Sequence, residues 1–126
     1  MSQPKPGSRP VVLVVEDEAL ILFSIADDLR RAGFEVLEAL NADAAIVLLE
    51  SRADITVLFT DVDMPGSMDG LKLSTAVRDR WPPVKIILTS GHVKLKLESL
   101  PTGGRFFSKP YDAMDLVATI RELTAA

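Results

Sequence analysis

The chain has no cysteine among its 126 residues. Disulfide bridges, thiolate metal sites and cysteine nucleophiles are therefore excluded. The absence also fits a reducing compartment, so we expect a cytoplasmic protein.

Long hydrophobic runs and basic clusters are missing as well. No apolar run approaches the roughly 18 residues that a membrane span needs, so we expect no membrane partner. The formal net charge is -4, and no cluster of Lys and Arg is longer than two residues. Direct nucleic-acid binding depends on neutralising phosphates, and it is therefore not expected.

What the sequence does contain is enough apolar material for one domain. Hydrophobic residues make up 48% of the chain and charged residues 25%, as in ordinary globular proteins. The length also fits a single domain. We expect residues 1–9 to form a disordered tail and residues 10–126 to form the domain.

Five short apolar runs predict β-strands. Three of them are nearly continuous in Val, Ile and Leu, which is typical of parallel strands that are covered on both faces. The predicted strands are Val11–Val15, Glu35–Ala39, Ile55–Thr60, Val84–Thr89 and Arg105–Ser108.

Apolar residues at helical spacing lie between these strands and after the last one. Asn41 and Asp112 suit helix N-caps, and Gly33 suits the end of the first helix. Residues 92–104 are less regular, and we expect a short fourth helix there. The alternation predicts an α/β fold, a doubly wound parallel sheet with helices on both faces.

Polar side chains follow four of the five predicted strands. Glu16 and Asp17 follow the first strand, Asp61 and Asp63 the third, Ser90 the fourth and Lys109 the fifth. Ligands bind at the carboxyl ends of the strands in doubly wound sheets, so these groups should share one site if their strands are neighbours.

The chemistry of such a site is constrained by its acids. Carboxylates a few ångströms apart need compensation, because like charges raise each other's pKa. Ligands that are all oxygen suit Mg²⁺ rather than Zn²⁺, and Mg²⁺ typically recruits phosphate oxygens. A lysine and a hydroxyl can hold a phosphoryl group, and one carboxylate would then be its nucleophile.

Five segments together resemble the receiver domain of two-component response regulators. They occur in the same order and at the same element ends as in that family, and the resemblance covers roughly residues 10–124. The segments are Val14-Val-Glu-Asp-Glu18, Thr60-Asp-Val-Asp-Met-Pro65, Met68-Asp-Gly70, Leu88-Thr-Ser-Gly91 and Phe107-Ser-Lys-Pro110. The resemblance implies a flavodoxin-like sheet with strand order 2-1-3-4-5.

The resemblance also implies a phosphorylation site and a Mg²⁺ site. Asp61 matches the phospho-acceptor. Asp17 and Asp61 match the side-chain Mg²⁺ ligands, the backbone carbonyl of Asp63 matches a third ligand, and Glu16 matches an acid that reaches the metal through water. The side chain of Asp63 is a candidate for tuning the lifetime of the phosphoryl group, and His92 is another.

Further matches concern the conformational change that accompanies activation in this family. Ser90 matches the hydroxyl that bonds the phosphoryl group and shifts on activation, and Lys109 matches the lysine that pairs with a phosphoryl oxygen. Phe106 takes the aromatic switch position, where it has no hydroxyl and must act by packing. Pro110 matches a proline that follows a cis bond in this family.

The implied function is a phospho-accepting signalling domain. It would take a phosphoryl group from a histidine kinase or a phosphotransfer protein, catalysing only its own phosphorylation and dephosphorylation. A downstream protein target or a homodimer is possible. The domain would be stand-alone or part of a larger protein. The turn after Asp61 is one residue longer than is common in this family.

Three alternatives remain from the sequence alone. The Asp61-x-Asp63 pair is similar to the nucleophile motif of haloacid-dehalogenase-type phosphatases, although that motif usually follows the first strand. Together with Glu16 it is also similar to a Toprim-type nuclease site, which the acidic charge disfavours. The third alternative is a receiver-like module that no longer accepts a phosphoryl group.

Overall fold

Five parallel β-strands form one sheet at the centre of the computed structural model, which describes residues 9–66, 68–91 and 103–125. The strands are β1 (Val11–Val15), β2 (Glu35–Ala39), β3 (Val57–Asp61), β4 (Lys85–Ser90) and β5 (Arg105–Ser108). They are ordered β2-β1-β3-β4-β5, and every neighbouring pair is parallel. The predicted fold class and strand order are thus confirmed.

The third and fourth strands end one residue later than the sequence predicted. Asp61 still pairs with Thr89, and Ser90 pairs with Ser108, so both polar residues belong to the sheet. The amide of Val62 also donates to the carbonyl of Thr89 at 2.9 Å, which extends the pairing past Asp61. Asp61 and Ser90 are therefore fixed by strand hydrogen bonds and do not lie in the loops that follow.

Four helices lie in the described part of the chain. They are α1 (Ala19–Arg31), α2 (Ala42–Ser51), α3 (Gly70–Arg80) and α4 (Ala113–Thr124). Asn41 and Asp112 are N-caps, as predicted, and their side chains accept hydrogen bonds from the amides of Ala44 and Met114. Gly33 has φ +100°, a conformation that glycine adopts readily after a helix end.

The core has two parts, one on each face of the sheet. The first core cluster packs α2 and α3 on the sheet, and its members include Leu13, Leu49, Leu58, Leu73 and Leu88. The second core cluster packs α1 and α4 on the other face, and its members include Val14, Leu22, Leu29, Phe59, Ile87 and Leu116. Adjacent strand residues thus alternate between two buried faces, which explains the continuous apolar runs.

Two predicted segments lie mostly outside the described residues. These are the disordered tail, of which only residue 9 is described, and the short fourth helix, most of which falls on residues 92–102. Among the helices that are described, none is both long enough and apolar enough to cross a membrane.

Candidate active site

The carboxyl ends of four strands bring the predicted polar residues to one edge of the sheet. Asp61 ends β3 and Ser90 ends β4, while Glu16 follows β1 and Lys109 follows β5 directly. β1, β3, β4 and β5 are consecutive in the sheet, so the side chains meet although their positions in the chain are far apart. This is the edge at which open α/β sheets bind ligands.

Asp61 is the centre of this site. Its side chain is only 4% exposed, and each of its carboxylate oxygens accepts a hydrogen bond. Nζ of Lys109 donates to Oδ2 at 2.5 Å, and the backbone amide of Asp63 donates to Oδ1 at 2.8 Å. The carboxylate is therefore held in one orientation by groups from two different loops.

Glu16, Asp17 and Asp61 form an acidic cluster. Each offers one carboxylate oxygen, and these oxygens all lie within 4.8 Å of one another. Glu16 is buried, while Asp17 is exposed and gives the cluster access to solvent. Both precede α1, which begins at Ala19, so neither is merely an acid of the first helical turn.

The chemistry of this cluster fits a hard divalent cation. Burial, followed by the hydrogen bond with Asp61, raises the pKa of Glu16 to about 7. A carboxyl group in this position is costly to ionise beside Asp61, and a cation among the oxygens would offset that cost. Three carboxylates with no sulfur or nitrogen donor form a set that suits Mg²⁺.

Lys109 supplies positive charge beside the acids. Its Nζ lies 3.8 Å from Oε2 of Glu16, in addition to its contact with Asp61. Burial alone would lower the pKa of Lys109, but the hydrogen bond with Asp61 and the charges of Asp61, Glu16 and Asp63 raise it. The acids around Lys109 therefore favour its charged ammonium form. The Lys109–Pro110 peptide bond is cis.

Ser90 and Asp63 are joined by a hydrogen bond. Oγ of Ser90, a residue only 2% exposed, donates to Oδ2 of Asp63 at 2.7 Å. The backbone of Ser90 also accepts from the amide of Lys109 at 2.9 Å. The structure thus places the side chain of Asp63 beside Ser90, a contact that the sequence did not predict. The other candidate for tuning, His92, lies outside the described residues.

Two further residues shape the site, and sequence reasoning gave neither a role. Gly70, the first residue of α3, packs against the backbone of Asp61. Tyr111 lies edge-on to Phe59, with ring centroids 5.7 Å apart, and stacks on Phe107 at 5.9 Å. The Asp69-Gly70 pair is a typical turn signal, but a turn signal does not tell which strand the turn contacts.

The side chain of Phe106 lies on the opposite face of the sheet from that of Phe107. It is half-buried and packs against the first core cluster, whereas its neighbour Phe107 packs against the second. This placement is what strand alternation requires.

Comparison with known proteins identifies the family. The family model named response regulator receiver domain matches residues 12–121 of the sequence, which is most of the chain. The chain belongs to the response regulator receiver domain family. Receiver domains are components of two-component systems, in which response regulators are partners of histidine kinases. Membership of this family favours a receiver domain over the two alternative predictions, a phosphatase and a Toprim-type nuclease.

Individual relatives agree with this family. The chain is 36% identical over 120 residues to the transcriptional regulatory protein PrrA of Mycobacterium leprae, covering 92% of this chain and 50% of PrrA. The chain thus spans half of the length of that relative. A response regulator receiver protein from Sinorhizobium medicae is 27% identical, with a TM-score of 0.85 over 94% of this chain and 96% of that one.

A third comparison concerns the fold alone. Response regulator TrrA from Thermotoga maritima, crystallised in complex with Mg²⁺-BeF, is 24% identical to this chain. Its TM-score is 0.78, and the superposition covers 90% of this chain and 98% of that one.

Proposed function

We propose that this receiver domain accepts a phosphoryl group on Asp61, with Mg²⁺ held by the neighbouring acids. The observation that carries the proposal is the buried Asp61 carboxylate at the end of β3, fixed between Lys109, the amide of Asp63 and the acids Glu16 and Asp17. A nucleophile, a cationic partner and a cation site thus lie together, as phosphoryl transfer requires.

In the proposed reaction a carboxylate oxygen of Asp61 attacks the phosphorus of the donor. A new P–O bond forms, and the bond between phosphorus and the donor's nitrogen or oxygen breaks. The electron pair of that bond leaves with the donor, and Asp61 becomes an acyl phosphate. Lys109 remains beside the phosphoryl group and offsets its negative charge.

Asp17 and Asp61 would hold the Mg²⁺ ion with their side chains, together with the backbone carbonyl of Asp63 and with Glu16 through water. The bound ion would neutralise charge on the phosphoryl oxygens. TrrA, crystallised with Mg²⁺-BeF, has the same fold and is consistent with this assignment. Without the ion, the negative charge of the acidic cluster would oppose the close approach of another anion.

The phosphoryl donor would be a sensor histidine kinase or a histidine phosphotransfer protein. In response, Ser90 would bond the phosphoryl group and Phe106 would repack, changing a surface that a downstream protein or a second copy reads. The family match at residues 12–121 supports a receiver domain at residues 10–126, preceded by a tail. Regulation of a larger protein is also consistent, because PrrA extends well beyond the matched region.

Incubation with Mg²⁺ and acetyl phosphate tests the proposal. The wild-type protein should gain the mass of one phosphoryl group, and the gain should be lost in EDTA. Asp61→Asn keeps the shape of the side chain but has no carboxylate nucleophile, so it should gain none.

A surface acid provides the matched control. Asp79→Asn changes an exposed aspartate near the far end of α3, and it should be phosphorylated like the wild type. Equal labelling of the wild type and Asp61→Asn, or no labelling of the wild type, would contradict the proposal.

A further inference from the structure

The hydrogen bond between Ser90 and Asp63 connects two residues that are 27 positions apart, one at the end of β4 and the other in the loop after β3. Asp63 contacts both residues, because its amide donates to Oδ1 of Asp61 and its carboxylate accepts from Ser90. One residue thus joins the proposed phosphoryl acceptor to the proposed phosphoryl-binding hydroxyl.

The Ser90 hydroxyl limits the number of hydrogen bonds that can be donated here. A serine hydroxyl has a single proton, so it can make only one strong hydrogen bond as a donor. In this structure, Ser90 donates that proton to Asp63. If Ser90 is to bond a phosphoryl oxygen on Asp61, as the proposed function requires, it must leave the Asp63 carboxylate.

The two acceptors are similar in strength. Both are anionic oxygens, and hydrogen bonds to ionised acceptors are stronger than those to neutral ones. Asp63 is exposed, however, so water can replace Ser90 at its carboxylate. The free energies of the two alternative hydrogen bonds of Ser90 should therefore differ only modestly. A single substitution should be able to change which of the two forms.

We propose that the Asp63 carboxylate is a positioning group that competes with the phosphoryl group for the Ser90 hydroxyl and so opposes the activated arrangement. The inference rests on the proposed function of Asp61. It assigns to Asp63 a regulatory role through Ser90, beyond the role of its backbone carbonyl at the metal. The proposed role belongs to the side chain of Asp63, which contacts Ser90, whereas the amide of Asp63 contacts the carboxylate of Asp61.

Removal of the carboxylate has two separable effects. Asp63→Ala abolishes the competing acceptor, and it also removes a negative charge near the place where an anion binds. The charge effect does not need Ser90, whereas competition does. A double-mutant cycle with Ser90→Ala therefore separates them.

Binding of beryllofluoride, a phosphoryl mimic, measures the competition. We would determine its affinity by ¹⁹F NMR at saturating Mg²⁺ for the wild type, Asp63→Ala, Ser90→Ala and the double variant. Asp63→Ala should bind the mimic about fivefold more tightly than the wild type, the effect of one hydrogen bond of ordinary net strength. In the Ser90→Ala background, the same change should alter the affinity less than about twofold, because an exposed charge is largely screened.

Asp63→Asn provides a graded variant. Its amide oxygen still accepts a hydrogen bond, but a neutral acceptor is weaker than a carboxylate. Its affinity for beryllofluoride should lie between those of the wild type and Asp63→Ala. Because position 63 is exposed, both variants should fold.

The outcomes separate this inference from the proposed function. If the wild type binds beryllofluoride and Asp63→Ala gains the same factor with and without the Ser90 hydroxyl, the competition is refuted while phosphorylation stands. A lower affinity of Asp63→Ala also refutes it. If the wild type does not bind the mimic at all, both proposals fail.

Discussion

Gly70 lies directly against the backbone of Asp61. A Cβ atom at position 70 would overlap the carbonyl oxygen and carbon of Asp61 and the Cα of Val62. The amide of Gly70 also donates to the carbonyl of Val62 at 3.2 Å. All of these neighbours are backbone atoms, which cannot rotate away as the end of a side chain can. The start of α3 is thus packed against the strand end that carries Asp61.

Gly70→Ala should therefore destabilise the protein. Either α3 or the end of β3 must move to admit the methyl group, and overpacking of this kind typically costs about 1–3 kcal/mol. The free energy of unfolding in urea should fall by that amount. Labelling by acetyl phosphate should also slow, because the displacement reaches the carboxylate of Asp61.

Gly91→Ala is the matched control for this substitution. Among the described residues, no atom lies within 4 Å of a Cβ at position 91, and Gly91 is not one of the glycines with positive φ. Its free energy of unfolding should change by less than about 1 kcal/mol. Equal losses in the two variants would show that the contact with Asp61 is unimportant.

The sheet could be predicted because its signals are local. Strands buried on both faces need continuous apolar residues, and the caps Asn41 and Asp112 act within three residues of their own positions. The boundaries of β3 and β4 were less predictable. A polar residue such as Asp61 or Ser90 ends an apolar run in the sequence, although its backbone still pairs with the next strand.

The contacts within the site could be predicted only in part. Strand order brings Asp61, Ser90 and Lys109 to one edge, so their proximity follows from the fold. The bond from Ser90 to Asp63 depends on the path of a loop that no sequence period specifies. The same holds for the ring of Tyr111 against Phe59, which joins residues from distant parts of the chain.

Substitution of Lys109 should have opposite effects on metal binding and on phosphorylation. Lys109→Met keeps an unbranched side chain but removes the charge that lies beside Asp61 and Glu16. The remaining acids should then bind Mg²⁺ about fivefold more tightly, since repulsion between the ammonium and the cation is of the order of 1 kcal/mol. Phosphorylation should slow about 100-fold, the usual effect of losing one such electrostatic partner.

Calorimetric titration with Mg²⁺ and labelling by acetyl phosphate measure the two effects. Lys85→Met serves as the control, because Lys85 is exposed at the opposite end of β4 and should change neither. A misfolded variant would lose both Mg²⁺ binding and labelling. Tighter Mg²⁺ binding together with slower labelling would therefore show the effect of the removed charge and exclude misfolding as its cause. Weaker Mg²⁺ binding by Lys109→Met would contradict the assignment.

The titration of Tyr111 reports on the electrostatic field of the acids. Burial, followed by the negative charges of Glu16, Asp61 and Asp28, raises the pKa of Tyr111 to about 12. It is the only tyrosine in the chain, so the ultraviolet absorbance of tyrosinate follows this one group. In urea the same absorbance should titrate near the unperturbed pKa of about 10.

The direction of the stability change follows from the raised pKa. The folded state favours the protonated phenol, so its contribution to stability is complete below the unfolded pKa near 10 and is lost as the pH rises through the folded pKa of about 12. Tyr111→Phe should lack this alkaline loss. Glu16→Gln removes one of the negative charges, so it should lower the pKa of Tyr111 in the folded protein. An unchanged midpoint in Glu16→Gln would show that the charge of Glu16 does not raise the pKa of Tyr111.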